Sequence, residues 1–156
     1  KHRLDLSGNR FFGEIPATLG NLNAIGIIDL SGNLLSGQLP ESIGSCSSLR
    51  KISIAGNGIT GNIPAGWFAL PMLYSLNLSR NKLSGSIASD LSYMVALSSM
   101  DLSHNFLSGE IPGSLTKLIE LRYLDLSANN LEGVVPNFSR HIRVSVEIFK
   151  LLEPWF

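Results

Sequence analysis

Catalysis by hydrolysis needs a nucleophile beside an oriented base. The three histidines, His2, His104 and His141, are not arranged with a carboxylate at motif spacing. No glycine-rich nucleotide loop, kinase catalytic-loop sequence or cluster of metal ligands occurs, so no catalytic residue, metal site or cofactor is expected. The polar chemistry is periodic instead. Asp5, Asp29, Ser53, Asn77, Asp101 and Asp125 recur every 24 residues, and so do Asn9, Asn33, Asn57, Asn81, Asn105 and Asn129. On strands about 4.8 Å apart, Asp101 and Asp125 are close enough to hold a cation. Ser103 and Ser127, two residues further on, are local hydrogen-bond partners for them, which makes a framework role the preferred reading. An asparagine amide both donates and accepts, so the stacked column is a structural ladder for successive turns.

The elements that position these columns follow from the apolar residues around them. Leu4/Leu6, Ile28/Leu30, Ile52/Ile54, Leu76/Leu78, Met100/Leu102 and Leu124/Leu126 alternate with polar residues, the pattern of six strands with one face inward. Ile25, Leu49, Leu73, Leu97 and Leu121 precede the strands; Phe11, Leu35, Ile59, Leu83, Leu107 and Leu131 follow them. Glycines at 13, 37, 61, 85, 109 and 133 and prolines at 16, 40, 64, 112 and 136, with Ala88 the exception, hold the next segment extended. The return legs, such as Ala17–Leu22 and Gly113–Leu118, carry apolar residues three apart and predict short 3₁₀ or helical turns. The form L-x-x-L-x-L-x-x-N-x-L at this period is the leucine-rich-repeat signature. The fold class is therefore an α/β solenoid of six 24-residue repeats, the first and last partial, over residues 1–136.

Composition narrows the function. Charged residues are 15%, with twelve basic balancing twelve acidic, which excludes the basic excess of a nucleic-acid surface. No apolar run reaches membrane-span length, and the chain opens inside a repeat with KHRLDLSGN rather than with a targeting segment. Cys46 falls in the apolar column Leu22, Cys46, Leu70, Met94, Leu118 and reads as buried filler. Asn77-Leu78-Ser79 and Asn137-Phe138-Ser139 match the N-glycosylation acceptor pattern. Residues 137–156 leave the register and form an irregular tail. Within it Ile142, Val144, Val146 and Ile148 alternate with polar residues like a half-buried strand, and Phe149, Leu151, Leu152, Trp155 and Phe156 are apolar enough to cap the array over Leu124 and Leu126. At the other end Leu4, Leu6 and Phe11 should face solvent.

The unit L-x-x-L-x-L-S-x-N-x-L-S-G-x-I-P, complete in Leu97–Pro112 and nearly so in Ile25–Pro40, resembles the plant-specific leucine-rich repeats of receptor-like kinases, receptor-like proteins and polygalacturonase inhibitors. The resemblance implies a right-handed superhelix with a concave parallel sheet, convex 3₁₀ or helical turns, and an additional lateral strand at each LSG-x-IP segment. It also implies cysteine-paired terminal caps, which this sequence lacks, so a piece of a longer receptor is expected. The function it implies is non-catalytic recognition of a peptide, protein or co-receptor, on the extracellular side of the plasma membrane or in the cell wall; the alternatives are a secreted inhibitor of pectin-degrading enzymes or an inactive fragment. Specificity should lie at outward positions that the repeat leaves free. The candidates are Arg3, Ile27, Lys51 and Tyr123 before the first inward residue, Arg50, Tyr74 and Arg122 beside them, and Arg80 and His104 at the strand exit. Exposed tyrosine and arginine on a rigid sheet are the usual material of binding hot spots, and the arginines and Lys51 suit an acidic peptide.

Overall fold

The structure is a computed structural model and describes residues 2–146. Thirteen short strands form: β1 (His2–Asp5), β2 (Phe12–Glu14), β3 (Ile25–Asp29), β4 (Leu34–Ser36), β5 (Lys51–Ser53), β6 (Thr60–Gly61), β7 (Ser75–Asn77), β8 (Lys82–Leu83), β9 (Ser99–Asp101), β10 (Ser108–Glu110), β11 (Tyr123–Asp125), β12 (Asn130–Glu132) and β13 (Arg143–Ser145). The odd-numbered strands make one parallel sheet in the order β1-β3-β5-β7-β9-β11-β13. Its register repeats the sequence period, with Ile28 beside Ile52, Ile52 beside Leu76 and Leu76 beside Met100. Identical columns therefore stack, and the inward side chains of one strand pack on those of the next. Ile28, Ile52, Leu76, Met100 and Leu124 are fully buried.

The even-numbered strands pair in twos, β2 with β4, β6 with β8 and β10 with β12, all parallel. Single bridges join Gln38 to Thr60 and Ser86 to Ser108. These are the lateral strands that the LSG-x-IP segments imply. Phe12 lies opposite Leu34, 22 positions on, so the lateral ladder is sheared two residues against the 24-residue period of the main sheet. Both ladders tie each repeat to its neighbour, one on each side of the shared apolar core.

The return legs are 3₁₀ turns at Ala17–Asn21, Glu41–Ser45, Ala65–Ala69 and Gly113–Lys117. Each starts at a proline with φ between −60° and −67° and extended ψ, the geometry that the pyrrolidine ring sets beforehand. The repeat with Ala88 in place of proline has only bends and turns between residues 88 and 97. Trp67 and Phe68 are the largest fully buried side chains; the Trp67 indole N–H donates to the Pro40 carbonyl at 3.0 Å, satisfying the one polar atom that this bulk brings inside. Cys46 is buried in its column, and burial pushes its thiol pKa up, which leaves it unreactive.

Six parallel strands were expected, and the sheet has seven. Residues 143–145 lie in the stretch read as an irregular tail, yet β13 pairs in register with β11, with Leu124 beside Val144. The half-buried strand that the alternation of Ile142, Val144 and Val146 predicts thus joins the main sheet, at a spacing from Tyr123 to Arg143 of 20 instead of 24, outside the period of the repeats. Phe138, Ile142, Val144 and Val146 are partly buried against the core. The remaining tail positions named above, Ile148, Phe149, Leu151, Leu152, Trp155 and Phe156, lie outside the described residues. At the opposite end Leu6 and Phe11 are 36% and 48% exposed, as expected, whereas Leu4, expected to face solvent with them, is partly buried against the core, being covered by the strand beside it.

Candidate functional site

The asparagine ladder sets the geometry of the strand-exit turns. Asn105 Nδ2 donates to the Leu102 carbonyl of its own repeat and to the Leu78 carbonyl of the preceding one, at 3.1 and 3.0 Å. Its Oδ1 accepts the Leu83 N–H at 3.0 Å. Asn33, Asn57, Asn81 and Asn129 repeat the pattern. Asn9 makes only the local bonds, to the carbonyls of Leu6 and Ser7. Each inner asparagine thus satisfies backbone groups of two successive turns and fastens them together.

The residue before each asparagine takes a left-handed conformation. Gly8, Gly32 and Gly56 have φ of 66°, 64° and 65°; Arg80, His104 and Ala128 hold the same place at 54°, 54° and 52°. A side chain there is strained. Both Arg80 and His104 are exposed, so two of the candidates project from turns whose shape glycine would adopt more easily.

The aspartate column is framework. Asp29, Asp101 and Asp125 each accept through Oδ1 from both the N–H and the hydroxyl of the serine two residues on, at 2.6–3.1 Å. Asn77 does the same with Ser79. The same bonds from Ser7, aided by Arg3, lower the Asp5 pKa to about 2. Ser53 is almost covered, at 7% exposed. Of the two glycosylation sequons, Asn77 stands on the concave sheet with its amide oxygen engaged, while Asn137 is exposed in a loop.

The other candidates divide. Ile27, Lys51 and Tyr123 occupy one row across the concave sheet and are half-buried, with Ser75 and Ser99 between Lys51 and Tyr123. The result is a shallow floor of small side chains walled by one cation and one ring. The Tyr123 hydroxyl donates to Asp125 Oδ2 at 3.3 Å; desolvation, and then the charges of Asp101 and Asp125, raise its pKa. Arg3 is paired with Asp5 on the end strand. Tyr74 is exposed beside this row and Arg50 half-buried. Arg122 turns away from the face: its Nη1 donates to the carbonyls of Ile119 and Leu121 at 2.7 and 3.0 Å. There, with His141 and Ile142, it lines a cleft of about 640 Å³ between the last return leg and the segment leading to β13.

Two residues that belong with the strand-exit candidates were missed. Lys82 and Phe106 directly follow Asn81 and Asn105 and are exposed, Phe106 by 57%. The signal was present in the sequence: their column reads Arg10, Leu34, Gly58, Lys82, Phe106, Asn130, differing in every copy where the framework columns do not.

A solenoid with a uniform inner spine and copy-specific outer side chains is a recognition scaffold. The Leucine rich repeat family matches residues 47–107 in one alignment and 2–22, 25–46 and 120–142 in others. Among solved structures the chain is similar to the Arabidopsis receptor kinase HAESA, solved in complex with the peptide hormone IDA and the co-receptor SERK1. The identity is 41% and the TM-score 0.84, over 85% of this chain and 22% of that one. A TDR receptor gives 35% identity and a TM-score of 0.88 over 94% of this chain and 26% of that one. The ectodomain of the Arabidopsis thaliana receptor kinase SOBIR1 gives 33% and 0.79, over 85% and 72%. No curated protein matches the sequence. The chain belongs to the leucine-rich-repeat family, in the form found in plant receptor-kinase ectodomains. It spans about a fifth of the length of the peptide-receptor ectodomains it matches. Among the described residues no helix is long and apolar enough to cross a membrane.

Proposed function

We propose that the chain is a non-catalytic recognition segment of a plant receptor-like kinase or receptor-like protein, acting on the extracellular side of the membrane. Its partner is an extended peptide or a protein co-receptor. The observation that carries this reading is the row Ile27, Lys51, Ser75, Ser99, Tyr123 on a rigid parallel sheet, in a chain 41% identical to a receptor solved with a peptide hormone and a co-receptor. Lys51, Tyr74 and Tyr123 supply the anchors; Arg3, Arg50 and Arg122 contribute less, being paired, half-buried or turned to backbone carbonyls. Asn137 is the sequon assigned to glycosylation. Residues 137–146 complete the core at the end of the array that spans residues 1–136, through Phe138, Ile142, Val144 and Val146.

Panning a phage-displayed random dodecapeptide library against the chain tests this. Reproducible enrichment that Lys51→Ala, Tyr74→Ala and Tyr123→Ala together reduce at least tenfold is expected. Equal enrichment on parent and triple variant would refute the concave assignment, and no enrichment at all would refute peptide recognition.

A further inference from the structure

We propose that the two strand-exit turns at residues 80–82 and 104–106 form an edge that reads an acidic side chain of an extended peptide. Its carboxylate sits among Arg80, Lys82 and His104, and the adjoining apolar side chain lies on Phe106. This deepens the recognition reading and rests on it.

The two turns are held together as one surface. Arg80 N–H donates to the Ser103 carbonyl at 2.9 Å, Asn81 N–H to the His104 carbonyl at 3.3 Å, and Phe106 N–H to the Leu83 carbonyl at 2.7 Å. With Asn81 and Asn105 buried between the two flanking pairs, Arg80, Lys82, His104 and Phe106 are left exposed on successive rungs. Among the described residues the one ion pair joins Arg3 to Asp5, so neither Arg80 nor Lys82 has its charge neutralised by a salt bridge. The guanidinium offers a planar fork for a carboxylate and the lysine a mobile point charge.

The neighbouring framework restricts where an anion can lie. One column inward, Asp101 and Asp125 use Oδ1 on their serines and keep their charge on the concave face. A ligand carboxylate is repelled from the middle of the sheet and drawn to the strand-exit side.

The backbone supplies the second argument. This turn position is left-handed in all six turns, and three of them fill it with glycine; Arg80 and His104 are placed where a side chain is strained. Residues kept in strained conformations cluster at sites where the side chain is used. Replacement by glycine should relax the turn while deleting the side chain, which separates lost recognition from lost folding.

The test compares dodecapeptides selected by the parent with those selected by Arg80→Gly, His104→Gly and Lys82→Ala. The parent should enrich Asp and Glu next to an apolar residue. A synthetic peptide from that set should bind about tenfold more weakly when its acid is changed to the amide, and more weakly as salt rises. Arg80→Gly should cause a similar loss and remove the discrimination between acid and amide, while its thermal midpoint stays equal to or above the parent's. Enriched peptides without acidic residues, or acid discrimination retained by Arg80→Gly and Lys82→Ala, would overturn the assignment and leave peptide recognition standing. Failure to select any peptide would overturn both.

Discussion

The first three strand-exit turns and the last three share a backbone and differ in what builds it. In the first half the left-handed position is Gly8, Gly32 and Gly56, and Pro16, Pro40 and Pro64 each launch a 3₁₀ turn. In the second half the same position is Arg80, His104 and Ala128, and Ala88 breaks the proline column and loses the 3₁₀ turn. The conformation survives because it is over-determined. Asn81, Asn105 and Asn129 bind the turns from within, and the ladders of both sheets bind them from either side. Local preference sets the turns of the first half; neighbouring layers impose them on the second. Residues freed from conformational duty are the ones available for contact with a partner.

The largest effect should come from removing what imposes the turn. Asn105→Ala leaves the Leu83 N–H without its partner in a buried setting and takes from the carbonyls of Leu78 and Leu102 one of their two amide donors, the others being Asn81 and Asn129. The expected cost is about 1–3 kcal/mol, read from urea midpoints at unchanged slope. Asn9→Ala removes only local bonds at an exposed position and should cost under about 1 kcal/mol. Equal losses would mean that the inter-repeat bonds, which Asn33 and Asn57 also make, add nothing to holding the turns.

A reciprocal exchange comes next. Arg80→Gly should stabilise, and Gly56→Arg should destabilise, each by about 1 kcal/mol, since one relieves and the other introduces a left-handed side chain. Thermal melts of the two variants should move in opposite directions from the parent. Shifts of the same sign would show that the halves do not differ in backbone strain.

The inner framework was legible in the sequence because it repeats. The six main-sheet strands in the first 136 residues, the asparagine ladder and the serine partners of the aspartates follow from one period and the valence of an amide, and the lateral strands from the resemblance that the LSG-x-IP segments carry. What was not legible lies where the period changes or where direction matters. The strand at 143–145 was legible from its alternation, but its place beside β11 after 20 residues was not, and the turn of Arg122 toward the carbonyls of Ile119 and Leu121 depends on rotamers that spacing does not encode. Lys82 and Phe106 stand one residue past the asparagine ladder, in a column that varies from copy to copy, and that variation is the signal which marks them.

Restoring the proline that the second half lacks is a smaller test of the same contrast. Ala88 occupies the place of prolines whose φ lies between −60° and −67°, and its N–H makes no backbone hydrogen bond among those found outside helices and strands. Ala88→Pro should therefore stabilise by about 0.4–1 kcal/mol, chiefly by restricting the unfolded chain. A lower melting midpoint would show that this repeat follows a different path for a reason of its own.

The finest difference between the halves is electrostatic and sits on the concave row. Ile27 in the first half has no titrating counterpart to Tyr123, whose phenol is raised above its ordinary 10.0 first by desolvation and then by Asp101 and Asp125. A phenol raised in the folded state stays neutral there while the unfolded chain ionises. Its contribution to stability is therefore flat below pH 10 and declines as pH rises past that value. Asp125→Asn removes one of the repelling charges and leaves the desolvation in place. The Tyr123 ring resonances, followed by NMR through alkaline pH, should then titrate earlier than in the parent and still above 10. An unchanged titration would mean that Asp125 spends its charge on Ser127 alone. The second half would then present to a ligand a neutral ring rather than a ring coupled to the carboxylate row beneath it.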